Sequence, residues 1–215
     1  MPMARSLNDP LASMPRLLGR VFSTLPDLLT AVACMVVWIS PMTLGQDAVK
    51  TVVLMMLMEF LVVNGTGFFT GIAFVDDMAR GKRLAFMAGL LALYALFIMG
   101  FVKSFDAWWP VWLFVWLVAS KALWIFVGPR DREAEMDRQM KAWAFSTGAY
   151  LAAVFLTLML PVPELGITAS IQPELGLSGG GEWIDHPHIA VAGMAFYYFA
   201  IAAFKWWSSG RSGGS

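Results

Sequence analysis

Hydrophobic positions fall in six long blocks separated by short polar or charged stretches. They run from Leu25 to Leu44, Thr51 to Phe74, Leu84 to Val102, Trp108 to Val127, Ala142 to Leu160 and Ile189 to Trp207. Each approaches the ~20 apolar residues that an α-helix needs to cross a hydrocarbon layer ~30 Å thick. Backbone polar groups find no water there, so such blocks must be helical. The short alternating segments of a membrane β-barrel do not occur in the sequence. The expected fold is all-α, a bundle of about six transmembrane helices over residues 25–207.

Punctuation between the blocks refines this picture. Thr24, Pro26 and Asp27 read as an N-cap, an early-turn proline and an acid at the positive end of helix one. Asp185 before Pro187 reads the same way for helix six, and Pro161 with Pro163 stops helix five. In the leader, residues 1–24, Leu11, Met14, Leu17, Leu18, Val21 and Phe22 recur at helical spacing around Arg16 and Arg20. That pattern predicts a short amphipathic helix lying on the cytoplasmic leaflet. No small-residue cleavage site follows, so helix one is expected to be retained. Residues 161–188 form the one long connection, an outer loop that Gly179, Gly180 and Gly181 are expected to make flexible. Residues 208–215, rich in glycine and serine, read as a flexible tail with the look of an expression linker.

Composition agrees with lipid as the solvent. Of 215 residues 59% are hydrophobic and only 14% charged, against about 25% charged in a soluble domain. Mean hydropathy is +0.66. The formal net charge is zero, which argues against nucleic acid as a partner. The single cysteine, Cys34, has no disulfide partner within the chain.

Charge placement sets the expected orientation. Arg5, Arg16, Arg20, Arg80, Lys82, Arg83, Arg130, Arg132, Arg138, Lys141, Lys205 and Arg211 fall on one side of the six blocks. Only Lys50 and Lys103 fall on the other, and Lys121 lies within helix four. Twelve against two puts both termini in the cytoplasm by the positive-inside rule. The expected location is a cell inner membrane of bacterial type, in a multi-pass arrangement.

Few residues carry candidate chemistry. Glu59 stands alone inside helix two, where an ionised carboxylate costs about 2.5–3.5 kcal/mol on insertion scales. It is therefore expected to face protein or water, and its charge to depend on its neighbours. Hydrogen bonding to Thr147 or Tyr150 of helix five is one expectation. Two readings stay open: a proton, cation or ligand site, or an interhelical tie. Asn64, Gly67 and Gly71 share one face of the same helix, and Gly67 with Gly71 is a spacing that admits a closely approaching backbone. Glu59 and Asn64 lie about 140° apart around the helix, so they do not make one polar face.

At the outer mouth of helix six, His186, His188 and Asp185 are candidate metal or cofactor ligands. Histidines in the headgroup layer beside a capping aspartate are the plainer account. Asp76 and Asp77 with Arg80, Lys82 and Arg83 read as a positive-inside turn with neutralising acids. Residues Arg130 to Lys141 alternate in sign and read as a solvated extension of helix five, with Asp137 and Lys141 at pairing distance. Motifs of hydrolases, zinc proteases and phosphate-binding loops do not occur in the sequence.

The leading expectation is thus a non-enzymatic membrane subunit or scaffold in the bilayer, binding a protein partner, lipid or a second copy. The alternative is a small transporter or membrane-embedded enzyme using Glu59, with a metal or cofactor at His186 and His188. The sequence names no cofactor.

Overall fold

A computed structural model describes residues 10–73, 79–116, 132–177 and 179–211. The expectations for Arg5, Asp76, Asp77, Lys121, Arg130, Asp131, the end of the fourth block and the tail beyond Arg211 lie outside these residues. The described chain is helical, with no strand. Its elements are α1 (Pro10–Ile39), α2 (Ala48–Ala73), α3 (Arg80–Phe105), α4 (helical over 109–116), α5 (Arg132–Met159), a 3₁₀ turn (Gln172–Leu175), α6 (Glu182–Asp185) and α7 (Pro187–Arg211).

Five of these helices, α1, α2, α3, α5 and α7, are long and apolar enough to cross a membrane. They fit a membrane protein whose outer faces meet acyl chains. Leu29, Leu96, Trp112, Phe155 and Phe196 are all exposed. The sixth expected span is helical where described, and its remainder is among the residues not described.

Helix one differs from expectation at both ends. A separate leader helix and a span starting at Leu25 are replaced by one continuous helix from Pro10. Thr24 is therefore not a cap but a buried mid-helix residue. Pro26 sits inside the helix, and Thr30 Oγ1 donates to its carbonyl at 2.9 Å. Helical apolar spacing runs unbroken through residues 17–39 and outweighs the local cap signature. The helix stops at Ile39 rather than Leu44 because Pro41 brings no N–H and disfavours helical geometry at Ser40. The Ser40 N–H closes the last turn on the Val36 carbonyl at 2.8 Å.

The core is built around α7, whose Ala190, Val191, Ala192, Met194 and Ala195 are fully buried. Along it α1 runs antiparallel, as Trp38 beside Phe196 and Asp27 beside Lys205 show. Against its other sides pack α2, in the same direction, and α5, antiparallel: Phe145 stacks on Phe204 with centroids 4.0 Å apart. Small residues permit this closeness, and a Cβ on Gly193 would meet Met56 and Thr157. In contrast, α3 leans on α2 at the periphery, where Tyr94 stacks on Phe114 of α4.

Residues 161–177 carry apolar and hydrogen-bonded anchors to the bundle. Ile167 and Leu175 are 2% and 1% exposed. Trp38 Nε1 donates to the Pro163 carbonyl at 2.9 Å, and the Gly166 N–H donates to the Trp38 carbonyl at 3.0 Å. Gln172 Nε2 reaches the carbonyls of Ile184 and Asp185. The glycines at 179–181 form the turn into α6, where Gly179 and Gly181 have positive φ.

Candidate functional site

Glu59 sits in α2, three residues beyond Met56, where the helix lies against the middle of α7. Glu59 as a residue is half-buried, and its carboxylate faces two phenols on consecutive residues of α7. Tyr197 donates to Oε1 at 2.6 Å and Tyr198 to Oε2 at 3.2 Å. A helix turns its successive side chains ~100° apart, so two adjacent tyrosines bracket one carboxylate only if it lies between their directions. The Tyr150 ring meets the Tyr197 ring edge-on at 5.8 Å.

The partners expected from helix five are thus not those used. Tyr150 instead donates to the Met56 carbonyl at 2.9 Å, tying α5 to α2 one turn away. Thr147 Oγ1 is buried and finds no partner among the described residues.

This geometry has a specific chemical property. A hydroxyl both donates and accepts. As an anion Glu59 accepts from both phenols, with charge-assisted bonds stronger than neutral ones. As an acid it donates to one phenol and accepts from the other. The carboxyl group is therefore hydrogen-bonded in either protonation state.

A second polar pair joins α1 to α7, two turns further along α7. Lys205 Nζ donates to Asp27 Oδ2 at 2.6 Å, and both charges are near enough to act on Glu59. From Tyr198 to Lys205 is about 11 Å along the helix. Asp27 and Lys205 had been read separately, as a helix-start acid and a tail cation. What joins them is the antiparallel α1–α7 pairing. Tyr197 and Tyr198 also escaped the sequence reading. Their signal was position: tyrosine favours membrane interfaces, yet these two stand mid-way along an apolar block.

Asn64 spends its amide on its own helix, donating to the Phe60 carbonyl at 2.8 Å. Gly67 meets α5, where a Cβ would fall 2.4 Å from Trp143 Nε1. The neighbour is an indole rather than a backbone, and it donates to the Val63 carbonyl at 3.0 Å. At Gly71 no described atom lies within 4 Å of such a Cβ.

At the start of α7, the His186 and His188 rings meet edge-on at 5.9 Å. His188 is buried and His186 exposed. Asp185 does not cap the last helix: its carboxylate accepts from the Gly181 N–H, 3.3 Å away, at the start of α6. Among the described residues no group of three or more His, Cys, Asp or Glu side chains is placed to hold a metal ion. Glu59 with its two phenols is accordingly the best-built polar centre of the described chain. Compared with protein-family models, curated proteins and solved structures, the chain matches none.

Proposed function

We propose that this is a multi-pass membrane protein working through Glu59, which takes up and releases a proton or small cation between α2 and α7. The observation that carries this reading is the pair of phenols facing the two carboxylate oxygens. A group serving only as a tie needs one partner geometry. This one keeps its hydrogen bonds in both protonation states, as a site that cycles between them requires. The class that fits is a small transporter or an ion-coupled membrane subunit.

Infrared titration of the purified protein tests the first half of this reading. One component of the carboxylic-acid carbonyl stretch should appear and vanish with pH, and that component should be missing in Glu59→Gln. In liposomes bearing a pH-sensitive dye, with sodium or potassium supplied in turn, the wild type should move protons and Glu59→Gln should not. Tyr197→Phe, which removes a donor but little volume, should lower the flux. Both variants should melt close to the wild type. Equal flux for Glu59→Gln and the wild type would reject the proposal.

A second reading, a subunit that docks on a membrane partner or on its own copy, draws on a different observation. Glu59 is only half-buried, and α1 meets α2 far less than it meets α7. A carboxylate at that depth is expensive unless its surroundings are closed. Cross-linking from Phe60, the exposed neighbour of Glu59, separates the readings: a specific dimer or hetero-complex favours the subunit.

Orientation belongs to the same proposal, with both termini in the cytoplasm of a bacterial-type inner membrane, as the twelve-to-two bias of basic residues supports. Cysteines introduced at Glu164 or Glu174 should react with an impermeant maleimide added outside. Cysteines at Lys82 or Lys141 should react only after the membrane is opened. The reverse pattern overturns the orientation.

A further inference from the structure

A groove of about 480 Å³ runs between α2 and α3, lined by Phe68, Ala85, Phe86, Gly89, Leu90 and Leu93. Every lining residue is apolar, and Phe68 and Phe86 stand well exposed at its rim. Gly89 keeps its floor open, with no described atom within 4 Å of where a Cβ would lie. Its reach along α3, from Ala85 to Leu93, is about 12 Å. That is close to the ~15 Å of one bilayer leaflet.

Charge lies at one end of it. Arg80, Lys82 and Arg83 occupy the first turn of α3, and Lys82 is exposed. By helical register Lys82 shares a face with Phe86, Gly89 and Leu93, spaced by four, three and four residues. A cation thus stands one turn below an acyl-sized apolar slot. The preceding Asp76 and Asp77 leave a net single positive charge over residues 76–83. The register, rather than that modest net charge, places a cation at the foot of the groove.

The geometry points to a site for one anionic glycerophospholipid, its acyl chain in the α2–α3 groove and its phosphate at Lys82, in a turn whose sequence also carries Arg80 and Arg83. A zwitterionic lipid offers the same chain but carries its own ammonium to the cations, so it gains less there. Juxtamembrane lysine or arginine attracts anionic lipid by an amount that corresponds to about fivefold in affinity per residue. The site is independent of Glu59, which lies nine residues earlier in α2 than Phe68.

Native mass spectrometry of the full chain, released from micelles with phosphatidylglycerol or phosphatidylcholine added, tests this. One phosphatidylglycerol should be retained preferentially. Lys82→Gln with Arg83→Gln should weaken its binding by roughly 25-fold, at about fivefold per cation, and bring it near the phosphatidylcholine level. Gly89→Phe, which fills open space, should lower retention of both lipids. Ala85→Phe provides a second plug should the first melt early by circular dichroism. Equal retention of the two lipids, a preference that survives loss of both cations, or binding indifferent to both plugs would each overturn the assignment.

Discussion

Gly166→Ala is expected to lower stability by about 1–3 kcal/mol, the usual cost of forcing extra volume into a packed site. A Cβ there would lie 2.2 Å from the Ile39 carbonyl oxygen and 2.7 Å from Pro41 Cδ. Neither neighbour is a side-chain end able to swing aside. One is backbone at the terminus of α1, the other a ring in the turn that stops it. Relief requires the segment 163–167 to lift, which stretches the Gly166–Trp38 and Trp38–Pro163 hydrogen bonds and uncovers Ile167. Thermal unfolding in detergent should show a melting temperature lower by several degrees. Trp38→Phe, which removes one donor while keeping an aromatic ring, should cost less. If Gly166→Ala melts with the wild type, the segment around residues 163–167 is not seated on α1 as described.

Gly67→Leu is expected to cost a similar amount by a different route. The Trp143 indole lies across Gly67, with three ring atoms within 2.8 Å of a Cβ position. A leucine would expel it, breaking the bond from Nε1 to the Val63 carbonyl. A buried hydrogen bond contributes about 1 kcal/mol net, and displacing the ring adds an overpacking cost of about 1–3 kcal/mol. A double-mutant cycle isolates the contact. In a Trp143→Ala background, Gly67→Leu should be markedly less harmful than in the wild type. Equal penalties in both backgrounds would mean that the glycine is needed for some reason other than Trp143.

Much of this architecture was legible along the chain. Apolar blocks marked the five helices that are long and apolar enough to cross a membrane, because lipid forces backbone pairing within each segment. The ends were less legible. Thr24-Leu25-Pro26-Asp27 carries every local mark of a helix start, yet α1 runs straight through it, since apolar spacing on both sides rewards continuation. At the candidate site, Glu59 was legible as a costly group that must have partners, but the partners were not. Tyr197 and Tyr198 are 138 and 139 residues away. Which helix lies beside which depends on how small residues such as Gly193 and Ala195 let backbones approach, and hydrophobic periodicity carries none of that. Gly67 was legible as a place of close approach; an indole as the approaching group was not.

The dominance of the α1–α7 seam has a consequence for how the protein is made. The helix that leaves the ribosome early has its main partner at the other end of the chain, some 170 residues later. At about 5–20 residues per second, α1 waits on the order of ten seconds or more in the membrane before α7 arrives. During that interval Asp27 has no Lys205 and Glu59 has no phenols, so two carboxylates are held in or near the bilayer without their final partners. The bundle consequently closes last where its polar centre lies. A stalled or truncated chain lacking α7 should present Glu59 unpartnered, the kind of flaw that membrane quality-control proteases can read.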